Sequence, residues 1–307
     1  MVLASLLPPR GGWAPAAGIA ADAGIVLLFF LHGARLSREA ILAGAGHWRL
    51  HLAVFAATFL LFPMLGLGIA RLPFLEPWMA AGLLFLTLLP STVQSSIAFT
   101  SMARGNVAAA LCSASFSNLI GILLTPILVA LLMQDVAGGS RGGLPLDAIR
   151  TVALQLLLPF VLGHLLRPLI GGWVTRHKSA VTIVDRGSIL LVVYTAFGAA
   201  VVEGLWRRVS APDLLLLLAI CLVLLAIVLA ASWSAGRALG LRREDRIVLL
   251  FCGSKKGLVT GVPMAGVLFP AAQVGAILLP LILFHQIQLI ACAIIARRLG
   301  RDKGGES

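Results

Sequence analysis

The sequence predicts an all-α membrane protein, and three observations support this fold class. Hydrophobic residues make up 60% of the 307 residues and charged residues only 12%, whereas soluble domains contain about 25% charged residues. The mean hydropathy is +1.02. The apolar residues also form runs long enough for bilayer-spanning helices, which need about 20 residues each. Together these features exclude a soluble enzyme, a disordered chain and a secreted disulfide scaffold.

The charge is strongly basic, with 24 Lys and Arg against 12 Asp and Glu. In a soluble protein this excess would suggest nucleic-acid binding. In a membrane protein it is explained by basic cytoplasmic loops, so we expect no nucleic-acid partner. The 4 cysteines lie inside apolar runs without CxxC spacing. Neither disulfides nor a zinc site are therefore predicted.

Nine apolar runs are long enough to span the bilayer. We number them helices 2 to 10, because a shorter apolar segment at 1–9 precedes them, which we interpret as the end of a truncated helix 1. The predicted spans lie near 14–31, 50–70, 78–102, 107–133, 148–170, 183–205, 214–236, 247–269 and 274–296.

The basic residues fall unequally on the two sides of these spans. Of the 24 Lys and Arg, 16 lie in the loops and tail of one side and 6 in loops of the other. The remaining two, Lys255 and Lys256, lie within helix 9. Loops rich in Lys and Arg face the cytoplasm. We therefore expect a multi-pass protein of the cell (inner) membrane with a cytoplasmic C-terminus.

The helices divide into two sets of five around a Gly-containing linker at 137–147. An odd number of helices in each set inverts the second set relative to the first, as in many secondary transporters. We predict inverted repeats at 1–136 and 148–298 and a cytoplasmic tail at 299–307. In such folds the binding site lies where a helix of each repeat is broken near the middle of the membrane.

Helices 4 and 9 contain the predicted breaks, each being the fourth helix of its repeat. In helix 4, Pro90 removes a backbone donor. The residues that follow it include Ser91, Thr92, Gln94, Ser95 and Ser96. In helix 9, Gly253 and Gly257 enclose the sequence Ser254-Lys255-Lys256. Freed backbone groups at this depth require protein or a wet cavity, so we predict that the broken helices cross at a polar cavity.

The paired lysines Lys255 and Lys256 indicate a function. One lysine at the centre of a membrane helix costs roughly 2.5–3.5 kcal/mol on insertion scales. Three roles are open for the pair: fixed positive charge that holds an anionic substrate, permanent replacement of a metal cation, or uptake and release of a proton. Asp22, an acid within helix 2, is the candidate proton or charge partner.

Helix 5 supplies further polar side chains. Ser113, Ser115 and Asn118 are candidates either for lining the cavity or for packing between helices. Asn106 is predicted to be the N-cap of this helix. The sequence contains no HExxH, no GxSxG and no paired-carboxylate spacing. No catalytic site and no metal centre are therefore predicted.

The stretches 29–37, 89–102, 103–115 and 251–256 resemble the bile acid:sodium symporter superfamily (solute carrier family 10), and most closely its bacterial inner-membrane branch. The most specific marks are Gly-Ser-Lys-Lys at 253–256 and Gln-Ser-Ser at 94–96. The resemblance implies ten helices in a panel and a core domain, with helices 4 and 9 crossing. It also implies an organic anion, such as a bile acid, carried together with sodium ions.

The sodium ligands that the resemblance implies for helices 4 and 5 are only partly matched. The helix 4 serine falls on Ser95 or Ser96, and the asparagine beside it falls on Ser96 or Ile97. The helix 5 hydroxyl positions fall near Ala110 and Ala114, with Ser113 and Ser115 adjacent to them.

The match is poorer in helix 9. The acid that the resemblance implies falls on Phe251, and its Gln-Asn pair falls on Lys255 and Lys256. Hard cations require oxygen ligands, and two ammonium groups oppose them. The resemblance therefore predicts the fold and the class of solute, while these positions count against sodium coupling.

We predict a secondary active transporter of a small organic anion that works by alternating access and is not an enzyme. The predicted substrate-binding residues are Gln94, Ser95, Ser96, Ser113, Ser115, Asn118, Ser254, Lys255 and Lys256. One alternative is a sodium-coupled bile acid-type symporter, and another is a non-transporting membrane regulatory protein. The expected partners are the organic anion and the lipid bilayer. No cofactor is predicted, and the sequence specifies no oligomeric state.

Overall fold

The chain is helical throughout the part that the structure describes. The computed structural model describes residues 2–9, 11–35, 47–133, 150, 153–204, 206 and 209–301. These ranges contain helices and turns but no strand. Eight helical segments in them are long and apolar enough to cross a membrane. The predicted all-α, multi-pass membrane protein is therefore confirmed.

The helices keep the numbers used for the sequence, and letters mark the two halves of a broken helix. They are α1 (Val2–Leu6), α2 (Trp13–Arg35), α3 (Trp48–Ala70), α4a (Pro77–Leu88), α4b (Gln94–Met102), α5 (Val107–Leu132), α6 (Ala153–Arg176), α7 (Lys178–Val202), α8 (Ala211–Ala238), α9a (Arg243–Gly253), α9b (Leu258–Leu268) and α10 (Ala271–Arg301).

Several helices begin where the sequence supplies a capping residue. The side chain of Asn106 accepts a hydrogen bond from the amide of Ala109 at 3.0 Å, which confirms its predicted role as the N-cap of α5. Ser210 and Asp213 form a capping box at the start of α8. Pro77 stands in the first turn of α4a, where a helix needs no N–H donor.

The boundary between α6 and α7 differs from the prediction. The apolar runs end at 170 and resume at 183, which predicts a loop between them. In the structure α6 continues to Arg176 and α7 begins at Lys178, so that only His177 separates them. Long basic side chains can place their charged ends at the membrane surface while their stems stay on an apolar helix. Hydropathy alone therefore ends α6 too early and begins α7 too late.

The helices α2, α6 and α7 form one packed group. Gly33 of α2 and Gly163 of α6 allow a close approach, because a Cβ atom on either would meet the main chain of the other helix. Small residues are the usual means by which membrane helices pack at short range. The guanidinium of Arg35 donates to the carboxylate of Asp185, which links α2 to α7.

The remaining helices surround α9. The α9a half packs against α3, α4b, α5 and α8, and the α9b half packs against α10. In the most apolar part of Arg243–Leu268, 89% of the residues are buried, against 22–44% in the other seven spans. The lysine-containing segment therefore lies inside protein. Contacts of α7 with α9b and α10 join the two groups of helices.

The linker at 137–147 and residues 302–307 of the tail at 299–307 lie outside the described residues. The inverted repeats at 1–136 and 148–298 and the truncation of helix 1 stay predictions.

The short helix α1 packs against α7. The hydroxyl of Tyr194 in α7 donates to the carbonyl of Leu7, just after α1, at 2.7 Å.

Candidate functional site

The two broken helices cross, as the sequence predicts. α4 is interrupted at 89–93 and α9 at 254–257. The breaks touch directly, because the amide of Gly257 donates to the carbonyl of Pro90 at 2.9 Å. A Cβ atom on Gly257 would lie only 3.3 Å from the same carbonyl oxygen, so a residue without a side chain suits this contact.

Four half-helix ends meet at this crossing. The carboxyl ends of α4a and α9a carry partial negative charge, and the amino ends of α4b and α9b carry partial positive charge. One side of the crossing therefore favours a cation and the other favours an anion. Because the ends are enclosed by neighbouring helices, water screens these charges less than it would at a surface.

Lys256 is the more tightly bound of the two lysines. It is fully buried. Its Nζ donates to three backbone carbonyls, those of Thr58 at 2.9 Å, Thr87 at 2.8 Å and Leu89 at 2.6 Å. A lysine ammonium has three donors, so every N–H of this group is satisfied by protein.

Lys255 is equally buried but far less coordinated. Its Nζ has one hydrogen bond within the described residues, to Oγ of Ser95 at a long 3.4 Å. The aromatic rings of Phe99 and Phe251 lie 4.5 and 5.6 Å from the same nitrogen, at distances where cation–π attraction acts. Among the described residues, no carboxylate lies within ion-pair distance of either lysine.

Gln288 of α10 is a site residue that the sequence did not single out. Its Oε1 accepts from the amide of Lys256 at 2.9 Å, and its Nε2 donates to the carbonyl of the same residue at 2.9 Å. Nε2 also lies 2.8 Å from Nδ1 of His285. Gln288 thus replaces the helix hydrogen bonds that the break removes. Only its position in an apolar helix, three residues after His285, could have indicated this.

Two of the three predicted residues of α4b are at the crossing. Ser95 contacts Lys255, and Oγ of Ser96 donates to the carbonyl of Phe251 at 3.3 Å. Thr92 lies 2.7 Å from Ser95 and 3.2 Å from Ser96, oxygen to oxygen. Gln94 is exposed at the start of α4b, and no hydrogen bond of the described residues joins it to a lysine.

Ser254 lies at the break, but its hydroxyl is used locally. Its Oγ donates to the carbonyl of Leu250 at 2.5 Å, at the end of α9a. This bond satisfies one of the last carbonyls of the half-helix. Ser254 therefore caps the carboxyl end of α9a. Of the three predicted residues at 254–256, only Lys255 and Lys256 direct their side-chain nitrogens to the crossing.

The polar residues of α5 face three different directions. Ser113 lies 2.7 Å from Nδ1 of His51, on a cavity of about 310 Å³ between α3 and α5. Asn118 accepts from the hydroxyl of Thr260 in α9b at 2.7 Å. Ser115 is half-buried. Two α5 residues reach the break in α4: Ser117 accepts from the amide of Ser91 at 3.1 Å, and Thr125 donates to the carbonyl of Leu88 at 2.8 Å.

Asp22 is not brought to the lysines. It is exposed on α2, and α2 packs against α6 and α7 rather than against α9. Its role as a proton or charge partner stays a prediction without a supporting contact in this conformation. The described residues also contain no group of three or more His, Cys, Asp or Glu that could hold a metal ion.

The positions implied for sodium ligands in helices 5 and 9 carry no side-chain oxygen. Phe251 is fully buried, with its ring 5.9 Å from that of Phe99. Ala110 and Ala114 are fully buried in an apolar cluster with Cys252. The hydroxyls of Ser95 and Ser96 remain, but one of them already contacts an ammonium. Of the side chains at the implied positions, only those of Ser95 and Ser96 supply oxygen, whereas hard cations require several oxygen ligands.

The chain matches a family of transporters over most of its length. The profile of the SBF-like CPA transporter family matches residues 1–301. The chain is 55% identical to the uncharacterized protein PA2026 of Pseudomonas aeruginosa, over 99% of this chain and 91% of that protein.

Two further relatives carry transport names. The chain is 53% identical to "Putative symporter YfeH" of Escherichia coli, over 98% of this chain and 90% of that protein. It is 26% identical to sodium/bile acid cotransporter 7 of Rattus norvegicus, over 88% of this chain and 80% of that protein. These matches confirm the resemblance that the sequence shows. The chain belongs to the SBF-like CPA transporter family.

Proposed function

We propose that the protein is a secondary transporter of small organic anions whose binding site is the crossing of α4 and α9. The observation that carries the proposal is the buried ammonium of Lys255, which has, among the described residues, no carboxylate in contact and one long hydrogen bond, to Ser95. A buried charge is costly unless it is paired and hydrogen-bonded. An anionic group of the substrate would complete this coordination.

The surroundings of Lys255 supply further donors for an anion. Thr92 and Ser95 present hydroxyls on the same side of the crossing. The hydroxyl of Ser91 is buried and has no partner among the described residues. The amino end of α4b adds partial positive charge. These groups suit a carboxylate, sulfate or sulfonate.

The relatives support this class of solute. One is named a symporter, and another is named for cotransport of sodium and bile acid. Bile acids are organic anions, so the name of the rat protein agrees with a substrate that a buried ammonium can bind. We propose no catalytic step.

We propose that the transporter works by alternating access. Lys255 is inaccessible in this conformation, so a substrate can reach it only when helices move apart. The group of α2, α6 and α7 contacts the helices around α9 mainly through α7, with a smaller contact of α6 with α5, which makes this interface the proposed place of movement. We place the protein in the inner membrane with its C-terminus in the cytoplasm, because of the distribution of basic residues.

We also propose that transport does not require sodium. The supporting observations are the apolar side chains at Phe251, Ala110 and Ala114 and the ammonium beside Ser95. Each of these removes an oxygen ligand or adds a competing positive charge.

A thermal-unfolding screen tests the proposed function. Purified protein is heated with bile acids, steroid sulfates and short carboxylates, in sodium chloride and in potassium chloride. A ligand that binds only the folded protein raises the unfolding temperature by mass action. We expect at least one organic anion to do so equally in both salts, and to lose this effect in Lys255→Met.

The control removes a positive charge elsewhere. Arg297→Met changes an exposed residue of α10 and should leave the anion effect intact. A stabilisation that appears only with sodium, or one that survives in Lys255→Met, would contradict the proposal.

A further inference from the structure

The three carbonyls around Lys256 form a cation site made of main chain. Their oxygens lie 2.6–2.9 Å from Nζ, and they come from α3 and from the end of α4a. The ring of Phe62 lies 4.1 Å from Nζ on a further side. Convergent backbone carbonyls with their negative ends inward are the ligands that ion channels use for monovalent cations.

The carbonyl of Thr58 is free because of a local feature of α3. The helix contains a π-helical turn at Ala57–Leu61, in which the amide of Phe62 donates to the carbonyl of Ala57. The next residue is Pro63, which has no N–H. Thr58 therefore loses its usual helical donor, and its oxygen is available to Lys256.

The other two carbonyls are free because α4a ends. A continuing helix would bring the amide of Ser91 to the carbonyl of Thr87, but that amide donates to Ser117 instead. Leu89 already has extended backbone, and Pro90 follows it. Orphan carbonyls at the carboxyl end of a helix attract positive charge. All three oxygens thus need a donor, and the residues that carry them are fully buried. The ammonium of Lys256 is the donor that they receive.

The environment of Lys255 provides the contrast. Its Nζ has one hydroxyl and two aromatic rings around it rather than a set of carbonyls. Two adjacent ammonium groups therefore occupy sites of different chemistry. The ammonium of Lys256 donates all three of its hydrogens to main-chain carbonyls. The ammonium of Lys255 donates to one hydroxyl among the described residues, so it can still donate to a ligand.

We propose that the ammonium of Lys256 is a tethered cation that permanently occupies a monovalent-cation site formed by the carbonyls of Thr58, Thr87 and Leu89. It holds α3, α4a and the α9 break together, so that no free ion is needed there. The proposal deepens the proposed function, since it gives the two lysines of that site separate roles. It predicts that removal of the side chain creates a site for an external cation.

The test is chemical rescue of Lys256→Ala. This substitution deletes a propylammonium fragment, so propylammonium and ammonium chlorides are the probes, and N-methylglucamine chloride is the control for ionic strength. We expect the variant to unfold at a lower temperature than the wild type. Propylammonium or ammonium should then raise its unfolding temperature in proportion to the logarithm of concentration, with no comparable rise in the wild type.

Lys255→Ala is the matched control. It loses the same fragment at the adjacent residue, but no carbonyl set surrounds its ammonium, so the amines should not restore its stability. Equal shifts with N-methylglucamine, or equal rescue of Lys255→Ala, would overturn the proposal.

A second variant keeps the test decisive if Lys256→Ala cannot be purified. Lys256→Met fills most of the volume without a charge and leaves the three carbonyls without a donor. We expect it to unfold below the wild type and to gain nothing from the amines. A Lys256→Met protein as stable as the wild type would overturn the proposal by itself. Because the measurement is thermal unfolding, it is independent of whether the protein transports an organic anion.

Discussion

At the scale of single residues, Lys255 and Lys256 show that the ammonium groups of two neighbouring lysines can lie in very different surroundings. The chain is not helical at this point, so the two side chains leave the break in different directions. One meets three carbonyls and the other meets Ser95 and two aromatic rings. We attribute cation replacement to Lys256 and anion binding to Lys255, two roles that the sequence alone left open for both.

The sequence predicted the lysine pair but not this division, for a physical reason. The oxygens around Lys256 depend on Pro63 in α3 and on Ser117 in α5. These residues are distant in the chain, and neither has an unusual local pattern. The prediction for α5 was similarly incomplete, because Ser113 and Asn118 face different neighbours although they are close in sequence.

Gln288 provides a prediction at the residue scale. Gln288→Leu removes both hydrogen bonds to the backbone of Lys256 and leaves two buried groups unsatisfied, each at about 1–3 kcal/mol. We expect the unfolding temperature in detergent to fall by roughly 5 °C or more.

The matched control lies two residues away. Gln286→Leu makes the same chemical change at an exposed position of α10 and should unfold near the wild-type temperature. Equal unfolding temperatures for Gln288→Leu and the wild type would show that the break does not depend on this side chain.

At the scale of helices, the breaks and the close contacts follow from prolines and glycines. Pro90 and Gly257 were recognised in the sequence as break signals, and the structure places them in contact. The bounds of α6 and α7 were predicted less well, because helices continue past the apolar run when basic side chains can reach the surface. The close contact of α2 with α6 was not predicted, since a small residue in a membrane helix does not specify its partner.

Gly163 provides a prediction at this scale. A Cβ atom there would meet the main chain of α2, which cannot move as a flexible side chain can. We expect Gly163→Ala to force the two helices apart and to destabilise the protein by about 1–3 kcal/mol.

Gly172 is the control within the same helix, because a Cβ atom there meets nothing within 4 Å. Thermal unfolding of Gly163→Ala and Gly172→Ala gives the comparison. If both variants unfold at the same temperature, α2 and α6 do not pack closely at Gly163, and the prediction is wrong.

At the scale of the whole molecule, the fold surrounds its most polar span with its most apolar ones. The α9 segment is 89% buried over its most apolar part, which removes the lysines from lipid. The hydropathy of the chain predicts that there are many spans, but it does not predict which span is central. That order comes from contacts among helices distant in sequence, such as α3 and α5 with α9a.

A cross-link between the two groups of helices tests the proposed movement. A Cβ atom on Gly266 of α9b would lie 3.7 Å from a methyl carbon of Val192 in α7. These two residues are therefore in contact across the interface, and cysteines at 192 and 266 are the pair to join by a disulfide. We expect oxidation to stop transport without lowering the unfolding temperature, and reduction to restore it.

The single-cysteine variants serve as controls, because the four native cysteines are buried and should not form the cross-link. Transport at the wild-type rate in fully cross-linked protein would contradict movement at this interface.

The central claim is that the ammonium of Lys255, at the crossing of two broken helices, binds an organic anion without sodium. Sodium-free counterflow measures this most directly: proteoliposomes are loaded with an unlabelled anion that stabilises the protein, and entry of the labelled anion is followed with potassium as the sole alkali cation. We expect counterflow by the wild type and none by Lys255→Met. Counterflow that requires sodium, or that proceeds at the wild-type rate in Lys255→Met, would contradict it.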